Sequence, residues 1–60
     1  MNAKLTIQMD NAAFADDGAD GLNELARILR NAAYRLERGH DGFWLTDVCG
    51  NRVGELAIQD

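Results

Sequence analysis

The stretch GLNELARILRNAAYRLERGHDG, residues 21–42, decides the fold. Leu22, Leu25, Ala26, Leu29, Ala32, Ala33 and Leu36 recur at steps of three and four, the spacing of one apolar helix face, and Ile28 widens that face. Asp20 or Gly21 opens the helix. With Gly21 as N-cap, Glu24 falls at the third helical position, where a carboxylate meets the positive end of the helix dipole. Arg35 and Arg38 meet the negative end, and Gly39 is placed to take the left-handed conformation that closes a helix. These signals predict a helix over 21–38.

The segments on either side read as strands. Residues 3–9 alternate, with Leu5, Ile7 and Met9 on one face and Lys4, Thr6 and Gln8 on the other. Asp10 to Gly21 reads as an acidic, small-residue linker, from which Phe14 folds back onto the core. After a turn at His40, Asp41 and Gly42, residues 43–48 and 53–58 form a hairpin around Gly50-Asn51, a dipeptide suited to a tight I′ or II′ turn. The expected register pairs Val48 with Val53, Asp47 with Gly54, Thr46 with Glu55, Leu45 with Leu56, Trp44 with Ala57 and Phe43 with Ile58. One face then collects Phe43, Leu45, Leu56 and Ile58, against which the helix packs. The other collects Trp44, Ala57, Thr46, Glu55, Val48 and Val53. The outcome is a single α+β domain over residues 1–60, a two-layer β-α-β-β arrangement with one helix on a three-stranded sheet. A sheet order of 1-3-2 makes every neighbour antiparallel.

Sixty residues leave no room for a second domain. A chain this short buries only about 60% of its unfolded surface, so disulfides, metals or association usually help. Cys49 is the only cysteine, so no intrachain disulfide forms, and a lone cysteine fits a reducing compartment. Residues 1–10 lack the charged and apolar regions of a signal peptide, and no apolar run approaches membrane-spanning length. The expected location is cytoplasmic. The net charge of −4 is unevenly spread. Residues 21–38 carry four arginines against two glutamates, a local +2, and the remainder carries Lys4 and Arg52 against eight carboxylates, a local −6. A basic helix therefore rides on an acidic body.

Catalysis has little to work with. The chain has no serine, and His40 and Cys49 sit at opposite ends of one expected strand, up to about 30 Å apart at ~3.3 Å per residue. A nucleophile and its base need hydrogen-bond contact. The stretch from Asp16 to Gly21 resembles a calcium loop only in part, because the third position is Gly18 and the twelfth is Arg27. One cysteine and one histidine cannot build a zinc site. No glycine-rich phosphate loop is present. No catalytic residue, metal or cofactor is expected. Asp47, inward on the hairpin, is read as an acceptor for turn amides near Gly50 and Asn51.

Three surfaces could bind a macromolecule. Arg27, Asn31, Tyr34 and Arg38 form an exposed helix stripe flanked by Arg30 and Arg35; Arg27, Arg30, Tyr34 and Arg38 are its expected contacts, since arginines with an interleaved aromatic can hold phosphate and stack a base. An isoelectric point of about 4.6 argues against a nucleic-acid binder. Trp44, on the outer sheet face, is the kind of residue that anchors interfaces. A homodimer through that face, or by pairing at an uncovered strand edge, would relieve the small core. Asp10, Asp16, Asp17, Asp20 and Asp41, with Asp60, form an acidic set that could imitate a phosphate backbone.

Asp10-Asn11-Ala12-Ala13-Phe14, the run from Glu24 to Arg30 continuing to Leu36-Glu37, and Gly50-Asn51-Arg52-Val53-Gly54 together resemble small proteins encoded in phages and prophages. The likeness covers most of the chain, and Cys49, where an asparagine is expected in the turn, departs from it. Phage accessory proteins of this size include anti-defence factors such as anti-CRISPR proteins. No activity attaches to the pattern itself; by analogy of size, acidity and genomic company the expectation is a non-catalytic inhibitor that binds and blocks a host defence nucleoprotein complex in the host cytoplasm, and no individual site residue carries over. The alternatives are a small nucleic-acid-binding regulator using the basic helix face and a structural accessory protein of a phage particle.

Overall fold

The computed structural model describes residues 1–60, in the order β1 (Asn2–Ile7), α1 (Ala12–Ala15), α2 (Leu22–Glu37), β2 (Gly42–Thr46) and β3 (Arg52–Gln59). The three strands form one sheet in the order β1-β3-β2, with both pairings antiparallel. The α+β class, the long helix and the sheet order are as the sequence pattern predicts. No helix is long and apolar enough to cross a membrane.

Helix α2 ends as its sequence signals. Gly39 is left-handed, its amide donates to the Leu36 carbonyl, and the His40 amide donates to the Arg35 carbonyl. Those two bonds are the Schellman pair that satisfies terminal carbonyls. At the other end the N-cap Gly21 has no side chain to offer. Asp17 supplies the missing acceptor from outside the helix, taking the Asn23 amide at 2.9 Å.

Four expectations need correction. Residues 10–21 are not a plain linker, because Ala12–Ala15 makes one helical turn that drives Phe14 into the core. The hairpin register is offset by two residues: Phe43 pairs with Leu56, Trp44 with Glu55 and Leu45 with Gly54. A tight turn at Gly50-Asn51 would hold the expected register. Instead Asp47 to Asn51 form a longer connection, closed by the Asp47 amide on the Asn51 carbonyl. Third, Thr46 pairs with Arg52, so Val53 is an extra residue, a β-bulge. The bulge turns Val53 from the outer face into the core, beside Phe14, Ile28, Ala32 and Leu45.

The fourth correction is the rotation of α2. Its buried residues are Glu24, Ile28 and Ala32, while Leu22, Leu29 and Leu36 stay exposed. In this orientation two arginines of α2 reach the sheet. Arg27 Nη2 donates to the Thr46 carbonyl at 3.1 Å, and Arg35 Nη1 donates to the Trp44 carbonyl at 3.0 Å. The Asp41 carbonyl accepts from Ile58 of β3, so by strand alternation the carbonyls of residues 44 and 46 point away from β3 to the open side of β2. The helix lies over β2 with both guanidinium groups at that edge and the leucines turned sideways.

Candidate functional site

Two buried carboxylates organise the 47–51 connection and, through it, the outer face of the hairpin. Asp47 Oδ1 accepts the amides of Cys49 and Asn51, each at 2.9 Å. Its Oδ2 accepts from the side-chain amides of Asn11 at 2.9 Å and Asn51 at 3.3 Å. Asp47 therefore does accept turn amides, and it also ties the turn to the start of α1. Glu24 accepts Arg27 Nε at 2.8 Å, Arg27 Nη2 at 3.1 Å and the Val48 amide at 2.8 Å. No buried side-chain nitrogen or oxygen lacks a partner. The Asn11 amide bond is the main cause holding the Asp47 carboxyl below its ordinary range. The bond from Arg27 does the same for Glu24, and the Arg27 guanidinium is in turn held charged by Glu24.

This geometry divides the basic stripe. Arg27 is committed to Glu24 and to the Thr46 carbonyl, so it is a strut and not a free cation. Arg35 is spent on the Trp44 carbonyl and lies 4.9 Å over the Phe43 ring. Arg38 donates to the Tyr34 hydroxyl at 3.2 Å and lies over its ring. Arg30 is exposed and makes no ion pair. Of the four residues read as one binding stripe, Arg30, Tyr34 and Arg38 remain on the surface together.

The acidic set is likewise split. Asp10, Asp16, Asp17 and Asp20 all lie in the segment ahead of α2, and Asp17 serves as its cap. Asp41 follows the far end of a 16-residue helix, about 24 Å long at ~1.5 Å per residue. The five carboxylates therefore gather at two poles and do not make one continuous surface.

Trp44 lies on the outer sheet face as its alternation predicts, and it is 50% exposed. Its neighbour across the strand is Glu55, not the expected Ala57. The Arg52 guanidinium stacks 3.9 Å from the indole centroid, within the range of a cation–π contact. Arg52 reaches the ring because the bulge at Val53 brings residue 52 opposite Thr46. Sequence reasoning missed this partner by assuming the tight turn. The clue was Asp47, whose capacity to gather amides favours a longer connection. The Trp44–Arg52 pair is an apolar platform with a cation on top, open to solvent on a flat sheet face. Cys49 is exposed as a free thiol in the neighbouring turn.

The surface has no pocket, and no three His, Cys, Asp or Glu side chains converge as metal ligands do. No family model matches the chain, and no curated protein or solved structure matches it.

Proposed function

We propose that this chain is a non-catalytic binding protein that blocks a host defence nucleoprotein complex, a role drawn by analogy from the size and acidity it shares with phage anti-defence proteins, and that it docks through Trp44 and Arg52. The observation that carries the docking surface is the half-exposed Trp44 ring with Arg52 stacked 3.9 Å above it on an open sheet face. Tryptophan and arginine are enriched among the few residues that carry most of the binding energy of protein interfaces. Tyr34 and Arg38 form a second aromatic–arginine pair on the exposed face of α2. The acidic pole at Asp10, Asp16 and Asp20 acts at longer range, steering the chain toward the basic channel of a nucleic-acid-binding complex.

The test is inhibition of target-DNA cleavage by a purified CRISPR effector–guide complex, with binding measured by calorimetry. Stoichiometric inhibition is expected. Trp44→Ala should weaken binding by about thirtyfold, the cost of an interface anchor near 2 kcal/mol. Lysine substitutions at Asp10, Asp16 and Asp20 should slow association several-fold and change dissociation little. Binding that survives Trp44→Ala would reject the docking surface. Absence of binding to any defence complex would reject the inhibitor reading.

The nucleic-acid regulator is less well supported, because Arg27 is already paired with Glu24. It would require Arg30, Tyr34 and Arg38 alone to hold the backbone. A salt-sensitive gel shift of DNA or RNA, abolished by Arg30→Glu, would revive it.

A further inference from the structure

The two edges of the sheet are treated differently. On the β2 edge, Arg27 and Arg35 cover the outward carbonyls of Thr46 and Trp44. Natural sheets cover or charge their edges in this way to stop further strands from adding. The β1 edge carries no such cover. Gln8 donates its amide to the Val53 carbonyl at 2.7 Å, so by strand alternation the even-numbered residues of this segment turn their backbone groups toward β3. Ala3, Leu5 and Ile7 turn theirs to the open edge.

The inner face beside that edge is also open. Leu5 pairs with Leu56 and Ile7 with Gly54, so Leu5 and Ile7 lie on the helix side of the sheet, yet Leu5 is 40% exposed. The rotation of α2 explains what stands over them. Ile28 points at the core, and Arg27, one residue earlier, turns to the β2 edge. Leu29, one residue later, turns about 100° the other way, over β3 and β1. Leu22 and Leu36 follow it at steps of seven, with Ala26 and Ala33 between them, the four–three spacing of a helix seam.

We infer that this edge is completed by a second copy of the chain, with β1 pairing antiparallel to β1 of its twin across a twofold axis at Leu5. The commitment to a second copy rests on self-complementarity. Centred on Leu5, the pairing sets Leu5 against the twin's Leu5 and Ala3 against the twin's Ile7, all residues whose backbone groups face outward. About six new hydrogen bonds form. Lys4, the only charge on β1, then faces the twin's Thr6 and not the twin's Lys4, and the twin's Glu55 lies one strand beyond, about 10 Å away. Centred one step earlier, on Lys4, the same pairing would oppose two lysines. The result is a six-stranded sheet, β2-β3-β1-β1-β3-β2, whose two ends are the arginine-covered edges. The leucine flanks of the two helices then face each other above Leu5. Both Trp44 platforms stay free on the opposite face, so the dimer is bivalent for a partner.

The test is sedimentation over a wide concentration range, together with single-cysteine cross-linking in a Cys49→Ala background under a mild oxidant. A mass twice that of the 6.6 kDa chain is expected. Leu5→Cys should cross-link readily, because directly opposed residues place their Cα atoms about 5.5 Å apart, inside disulfide range. Ala3→Cys should not, since its twin lies four residues along the strand, about 13 Å away. Leu5→Lys should give a folded monomer, checked by an unchanged circular dichroism spectrum. The amides of Ala3, Leu5 and Ile7 should gain hydrogen-exchange protection as concentration rises. A monomer at every concentration overturns the inference. A dimer that cross-links as fast through Ala3→Cys as through Leu5→Cys, or that persists in Leu5→Lys, overturns it equally.

Discussion

Gly54→Ala should remove most of the domain's stability. Gly54 sits in β3 opposite Ile7, and its conformation is not one that only glycine adopts. The constraint is contact. A methyl group here would overlap the Thr6 carbonyl oxygen, lie 2.8 Å from the Thr6 carbonyl carbon and come within 3.0 Å of Ile7 Cα. All three atoms are backbone of β1, so no rotamer change relieves the overlap, and β1 must shift out of its ladder. The bulge at Val53 is the structural setting of the close approach, since it bends β3 where the two backbones meet. Overpacking of this kind costs about 3 kcal/mol. A domain of this size has a total stability of roughly 3–5 kcal/mol. Urea titration followed by circular dichroism measures the loss. Gly42→Ala is the control: its nearest neighbour is the Leu56 carbonyl oxygen at 3.7 Å, an ordinary contact, and its stability should stay within about 0.5 kcal/mol of wild type. Equal stability of the two variants would mean that β1 yields easily, and the rigid pairing described above would be wrong.

The same region shows how far the sequence could be read. The three- and four-residue spacing of Leu22 to Leu36, closed by Gly39, locates the helix because it is a local signal. The alternation in residues 3–9 and 43–48 locates two strands for the same reason. What could not be read was relational. Asp47 was legible as an acceptor of turn amides, but not the longer connection it closes, which moves the pairs of Phe43, Trp44 and Leu45 by two residues and, across the bulge, that of Thr46 by three. The rotation of α2 brings two arginines to carbonyls of β2, a sheet edge that exists only once β2 has paired with β3. Hydrophobic periodicity assumes that leucines face inward, and here the inward face is Glu24, Ile28 and Ala32. The candidate site divides in the same way. Trp44 was visible from alternation alone. Its partner Arg52 was hidden behind the register, and Arg27 was taken for a free cation although Glu24 stands three residues before it on the same helix; only its bond to the Thr46 carbonyl needed the sheet.

Removal of the Asp47 carboxylate should be the most damaging change in the 47–51 connection. Asp47→Ala leaves the amides of Cys49 and Asn51 and the side chain of Asn11 without their acceptor. These bonds are partly buried, and a donor left without its acceptor there costs more than a made bond contributes. The unfolding temperature should fall by about 10 °C for a domain of this length. Asp47→Asn should recover only part of that, since its oxygen can keep the Cys49 and Asn51 amides while its amide nitrogen meets the donors of Asn11 and Asn51. Glu24→Gln tests the other half, weakening the hold on Arg27 and therefore on the Thr46 edge. The pH dependence follows from the direction of the shifts. Asp47 is held below its ordinary 3.8, chiefly by the Asn11 bond, and Glu24 below its ordinary 4.5, chiefly by Arg27. A carboxyl whose folded value is depressed binds its proton more readily in the unfolded chain. Its contribution is therefore complete above the unfolded value and is lost as pH falls through the folded one. Melting temperature should hold steady from neutral pH down to about 4.5 and then decline, and the decline should be shallower in the Glu24→Gln, Asp47→Asn double variant. A double variant with the same acid limb as the wild type would assign that limb to other carboxylates. The functional consequence is testable in the same samples: the connection that Asp47 and Glu24 hold also sets the register that brings Arg52 onto Trp44, so loss of either carboxylate should weaken partner binding even where the chain remains folded.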